Sequence, residues 1–230
     1  MEPVLVAACS LLGLVVGLLL PVAVERVPEK QPVLVGPFPE PARAARTPSG
    51  WIVAVGTAFL FGATAARIGA AWELPAYLVL AGALVALSVI DLRTFLLPNR
   101  IVYPLTVVSV ALLGLAALAG GDGSTYVRAL LGGTAAFGFF FLLHLVSPAA
   151  MGFGDVKLSF TLGLFLGWLG WGYVFLGLFL GFFYGAVIGV LLIALRLRSR
   201  KDHVPFGPFL AAGTMTAILI GQSLLDAYKH

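Results

Sequence analysis

The sequence predicts an all-α, polytopic integral membrane protein with about eight transmembrane helices. Three observations lead there. Of 230 residues, 60% are hydrophobic and only 10% are charged, against about 45–50% and about 25% in soluble domains. Apolar residues and the 28 glycines together make up about 166 positions, enough for at most about eight spans of about 20 residues. The polar residues fall in short breaks between apolar runs, apart from one long stretch at 25–50. This composition excludes an ordinary globular domain, a nucleic-acid-binding module and a disordered tail. The net charge of +4 implies no nucleic-acid partner, because membrane proteins keep cytoplasmic Lys and Arg for topology. A single cysteine, Cys9, excludes an internal disulfide and any CxxC zinc site.

The first apolar run, 4–24, follows Glu2 and carries no basic stretch or clear small-residue cleavage site. It is therefore expected to be a permanent span. Residues 25–50 hold six of the fourteen prolines together with Glu25, Arg26, Glu29, Lys30, Glu40, Arg43 and Arg46, and are expected to form a poorly structured loop. Further apolar runs predict helices over 51–70, 75–91, 101–119 and 126–147, with a Gly-Asp-Gly turn at Asp122 before the last of these. The sixth run, 157–169, is short. It reads as a partial span, or one sharing the bilayer with an irregular loop buried in protein. The last two runs cover 171–196 and 208–226. Gly177, Gly181, Gly185 and Gly189 recur every fourth residue, and Gly163 and Gly167 repeat the spacing. Such stripes let a neighbouring helix approach closely.

Counting Lys and Arg on alternate loops sets the orientation. With the N-terminus outside, the cytoplasmic side holds Arg26, Lys30, Arg43, Arg46, Arg93, Arg100, Lys157, Arg196, Arg198, Arg200 and Lys201. The outer side keeps Arg67, Arg128 and Lys229. Eleven against three is a strong positive-inside bias, and an odd number of spans would spoil it.

A buried charge costs about 2.5–3.5 kcal/mol on insertion scales, so each ionisable group near a span needs a reason. Glu2, Glu73, Asp122 and Asp226 sit at outer ends or turns, while His203 and His230 lie in a loop and at the terminus. His144 lies within the fifth run and reads as a histidine hydrogen-bonded to another helix near the cytoplasmic end. Asp155, in Met151-Gly-Phe-Gly-Asp155-Val-Lys157, is expected to open the sixth helix as an N-cap. Asp91, in Asp91-Leu-Arg-Thr-Phe-Leu-Leu-Pro98-Asn99, ends the third helix. There it faces the negative end of the dipole.

Paired carboxylates suggest acid–base chemistry. Two carboxyls about 3 Å apart cannot both ionise; they share a proton, activate a water and protonate a leaving amine. Gly152 and Gly154 leave room beside Asp155 for a substrate strand or a facing helix. The helix dipoles suggest that Asp155 holds the charge and Asp91 the proton.

The sequence resembles the type IV prepilin peptidases, membrane aspartic proteases of the GxGD class. The likeness rests on residues 91–99 with Tyr103-Pro104 after them, on Met-Gly-Phe-Gly-Asp-Val-Lys-Leu at 151–158, and on Val-Pro-Phe-Gly-Pro-Phe-Leu-Ala-Ala-Gly at 204–213. It implies an endopeptidase of the bacterial cytoplasmic membrane that removes a short basic leader from prepilins or pseudopilins on the cytoplasmic side. Asp91 and Asp155 would be the catalytic pair, supported by Gly152, Gly154, Lys157, Pro98 and Asn99. The resemblance implies no metal and no cofactor; the partners are the substrate and the bilayer.

The N-terminal part departs from the family pattern. Residues 13–28 echo the start of a region that in many relatives carries a CxxC-containing N-methyltransferase domain. Here the loop is too short for one and holds no cysteine. Residues 1–50 are thus expected to be a first span plus a truncated remnant of that region, with the peptidase domain at 51–230 and no methylation. Presenilin-type GxGD proteases are disfavoured, since Ile90 precedes Asp91 and no Pro-Ala-Leu is present. Archaeal preflagellin peptidases have fewer spans. A non-enzymatic transporter or assembly subunit would predict charges near the midplane or inverted halves with broken helices, and neither is evident.

Overall fold

A computed structural model describes residues 2–26, 48–148, 151–197 and 204–228. These form eight helices and no strand. They are α1 (Glu2–Arg26), α2 (Pro48–Ile68), α3 (Leu74–Thr94), α4 (Asn99–Gly120), α5 (Gly123–Val146), α6 (Phe153–Leu169), α7 (Trp171–Ala194) and α8 (Gly207–Tyr228). All but α6 are long and apolar enough to cross a membrane. The protein is an all-α polytopic membrane protein. The expected loop core at 27–47, with Glu29 and Glu40, lies outside the described residues, as do His203, His230 and 198–201.

The chain divides into two compact units. The first comprises Met1–Ile90 and Pro98–Gly121; the second comprises Asp91–Leu97 and Asp122–His230. In the first unit, α1 and α2 meet through glycines. A Cβ on Gly17 would lie 2.6 Å from Ala54 Cα, and one on Gly13 would lie 2.8 Å from Phe61 Cβ. Gly62 faces Ser10 in the opposite direction, and Gly82 of α3 takes the Phe61 ring. With no hydrophobic drive between helices in lipid, this close packing supplies the dispersion contacts that hold them.

The second unit is built around α6. Twelve of its residues are buried, including Leu158, Leu162, Phe165 and Leu166. At 17 residues it is about 25 Å long, shorter than the hydrocarbon core of about 30 Å. Gly132 and Gly133 of α5 meet Gly163, Gly167 and Phe160 of α6, where a Cβ on Gly132 would lie 2.7 Å from Gly163 O. The α7–α8 pair is as tight, with Gly213 against the Gly181 nitrogen and Gly177 O. Of the glycine stripe on α7, Gly177, Gly181 and Gly185 are packed against side chains, whereas Gly189 has nothing within 4 Å. The outward side of α7 is apolar, with Phe175 74% and Phe179 64% exposed, as suits a surface that lipid covers.

Polar groups close the helix ends in this unit. Arg128 donates from Nε to Gly167 O (2.9 Å) and from Nη2 to Trp168 O (2.7 Å), serving two of the carbonyls that a helix C-terminus leaves open. Asp122 is more than a turn residue. It is the N-cap of α5, accepting from Thr125 N at 3.0 Å. The Thr125 hydroxyl, the Thr125 amide and the Ser124 hydroxyl hold its carboxyl well below the usual range, at about 2.

Candidate active site

Asp91 and Asp155 both belong to the second unit and both are buried, at 4% and 7% exposure. A fully exposed carboxylate needs no partner, whereas these two do.

Asp91 lies one turn short of the end of α3, and its carbonyl accepts the Phe95 N–H at 2.8 Å. Phe95 then adopts a left-handed conformation (φ 55°), the usual way to end a helix but one that favours glycine. The turn returns Leu97 to the site. A Cβ on Gly154 would lie 2.9 Å from Leu97 Cβ, and one on Gly207 would lie 3.3 Å from Leu97 Cδ2. Leu97 thus fills the space beside both glycines, and neither tolerates a side chain cheaply.

Contrary to the expectation from sequence, Asp91 does not face a negative helix end alone, because Gly207 lies beside it. This residue starts α8, and its N–H donates to Asp91 Oδ2 at 3.0 Å. The amides of a helix's first turn have no intrahelical partner, and they attract negative charge. The carboxyl therefore sits at the negative end of its own helix and the positive end of another. Phe206, just before Gly207, is held among aromatic rings, 5.1 Å from Phe182 and 6.4 Å from Phe140 between centroids.

Asp155 is not the N-cap that its sequence position suggests. Gly152 takes that position (φ −65°, ψ 140°), so Asp155 is the third residue of α6. From there its carboxyl reaches back to the backbone N–H of Gly152, the geometry of a capping box. A Cβ on Gly152 would lie 3.3 Å from Asp155 Oδ2. The other oxygen, Oδ1, is buried and has no hydrogen-bond partner. Asp155 also lies within Coulombic reach of Asp91.

Each aspartate is therefore held by one backbone N–H at a helix N-terminus. The two environments are alike in this respect, so helix dipoles do not assign the charge to Asp155 and the proton to Asp91.

Lys157 is on α6, with Nζ 4.8 Å from the Phe153 ring centroid. His144 lies near the end of α5, with Nδ1 2.9 Å from Met151 O. It bonds the loop before α6 rather than another helix. Pro98 and Asn99 belong to the first unit, where Pro98 precedes α4 and its carbonyl accepts from Ile101 and Val102 at 2.9 and 3.1 Å. Among the described residues, no group of three or more His, Cys, Asp or Glu is arranged to hold a metal ion.

Sequence reasoning did not single out Gly207 or Leu97. The Gly207-Pro208 pair carried one signal, because proline in a first turn marks a helix start and hence an open amide. Nothing in the sequence paired that amide with Asp91.

The profile of the type IV leader peptidase family matches residues 78–192. The chain is 35% identical over 184 residues to a prepilin leader peptidase/N-methyltransferase of Pseudomonas aeruginosa, covering 77% of this chain and 60% of that protein. It is 34% identical over 191 residues to a protein of the same name from Aeromonas salmonicida, covering 81% and 62%. With the Bacillus subtilis protein of that name it shares 31% over 172 residues, covering 75% and 66%. The chain thus spans about three fifths of the length of the curated relatives it matches. No solved structure matches it. The chain belongs to the type IV leader peptidase family.

Proposed function

We propose that this chain is an aspartic endopeptidase that removes the short basic leader of type IV prepilins or pseudopilins. The observation that carries the reading is the burial in one unit of two carboxyls from distant segments, within Coulombic reach of each other, with Asp155 Oδ1 unpartnered. A buried carboxyl oxygen without a partner is costly, and at this site it is suited to hold a proton or a water.

In this reading the pair shares one proton. The ionised member takes a proton from water as the water oxygen bonds to the scissile carbonyl carbon. The protonated member hydrogen-bonds the carbonyl oxygen. Collapse of the tetrahedral intermediate breaks the C–N bond, and the leaving amine receives a proton from the dyad. The titrations are coupled, so apparent pKa values belong to the pair. Gly152 and Gly154 shape the site, Lys157 steadies the first turn of α6 from the Phe153 face, and Pro98 and Asn99 fix the start of α4. Neither a metal nor a cofactor enters any step.

The peptidase region is 51–230, in the bacterial inner membrane, with the N-terminus outside and the dyad toward the cytoplasm. The positive-inside count supports that orientation. Residues 25–50 are too short for a methyltransferase domain and hold no cysteine, which supports cleavage without methylation. The relatives' names join both activities; only the first is proposed for this chain.

Membrane vesicles bearing the protein, a model prepilin and mass spectrometry of the product test this. Inverted vesicles are expected to yield a new, unmethylated N-terminus just after the leader glycine, and right-side-out vesicles intact substrate. Uncut substrate in both, or a methylated product, would contradict the reading.

A further inference from the structure

We propose that His144 is a positioning residue for Asp155, acting through the single peptide plane that joins Met151 to Gly152. The inference rests on the reading above, in which Asp155 is one of the two proteolytic carboxyls.

The geometry is a relay of two hydrogen bonds across one peptide. On one side, His144 Nδ1 lies 2.9 Å from Met151 O. A carbonyl oxygen can only accept, so Nδ1 carries the hydrogen and donates. On the other side, the Asp155 carboxyl lies against Gly152, with Oδ2 3.3 Å from where a Cβ would stand, so that it faces the N–H of the same peptide unit and accepts from it. The peptide is planar and its C–N bond has partial double-bond character. A donor at its oxygen therefore draws electron density from its nitrogen and makes the N–H a stronger donor. Serial hydrogen bonds strengthen each other in this way by about 10–30% per bond. The same bond restrains rotation of the peptide, which would carry the Gly152 N–H away from the carboxyl.

The surroundings fit a fixed strut. Met151 is buried at 8% exposure, anchoring the residue whose carbonyl is held. The His144 ring also packs against Phe153, 5.4 Å between centroids, and Phe153 carries Lys157 Nζ 4.8 Å from its ring centroid. His144 therefore contacts both the residue before the N-cap of α6 and the first residue of that helix. Since Oδ1 of Asp155 has no partner, the Gly152 N–H is an identified restraint on the orientation of this carboxyl.

Two contacts of His144 are separable by mutation. In His144→Asn the amide nitrogen stands close to where Nδ1 stood and keeps the donor without the ring. In His144→Phe the ring stays and the donor is lost. The test is steady-state cleavage of a synthetic prepilin segment (a basic leader ending in glycine, then the apolar helix) by wild type, His144→Asn, His144→Phe and His144→Ala, with Asp155→Asn as the inactive control. His144→Phe and His144→Ala are expected to lose about tenfold in kcat, the scale of one hydrogen bond, with KM changed less than about twofold. His144→Asn is expected to stay within about threefold of wild type. Wild-type kcat in His144→Phe, equal losses in His144→Asn and His144→Ala, or a loss confined to KM would each overturn the inference. A wild type that leaves the segment intact overturns the protease reading itself, and the inference with it.

Discussion

Asp91 occupies a position that its own helix disfavours, and Gly207 makes that position tenable. The carboxyl accepts an otherwise open helix amide at 3.0 Å. That amide can approach because Gly207 has no side chain: a Cβ there would lie 2.8 Å from Asp91 Oδ2 and 3.3 Å from Leu97 Cδ2. Gly207→Ala is therefore expected to push the carboxyl aside and cut kcat/KM for prepilin cleavage by about a hundredfold, the typical effect of a displacement near 1 Å. Cleavage kinetics check this, and an alanine variant working at the wild-type rate would contradict it. The sequence allowed Asp91 and Asp155 to be read as candidate site residues because few acids lie near the spans and most have an evident reason to be there. It did not reveal Gly207, because a glycine before a proline reads equally well as an ordinary helix start. Asp155 read as an N-cap because residues 151–154 contain two glycines, which weaken any helix prediction. The extra turn is held by tertiary contacts that propensity does not see.

Helix periodicity was the most legible level. The breaks at 69–73, 95–98, 121–122 and 170 separate the described helices much as the apolar runs suggested. The four-residue glycine spacing identified the packed side of α7, but not where the packing stops. Gly185 meets Phe206 and Phe209 at the start of α8, and Gly189, one turn further, meets nothing within 4 Å. The stripe outlasts its partner because α8 begins at Gly207. Gly213, by contrast, lies against the backbone of Gly177 and Gly181, where no side chain can move away. Gly213→Ala is expected to destabilise the protein by about 1–3 kcal/mol, whereas Gly189→Ala is expected to leave stability unchanged or slightly raised. Denaturant unfolding in detergent checks the pair, and equal effects at the two positions would contradict this packing.

At the scale of the whole molecule, composition and span counting gave the class, but the division into two units was not legible. Its boundary runs between Ile90 and Asp91, inside the continuous helix α3, where the sequence marks only the end of an apolar run and not a change of packing partner. The first unit is held by glycine-mediated helix contacts, and the second brings together Asp91, the GxGD turn and the start of α8. We propose that this second unit makes one catalytic pair from two distant carboxyls. Cleavage of a model prepilin by purified wild type, Asp91→Asn and Asp155→Asn tests it most directly. Each substitution is expected to lower the rate by at least about a thousandfold, within the range ascribed to a positioned acid or base, while the helical content stays that of the wild type. Cutting at the wild-type rate by either variant would contradict it.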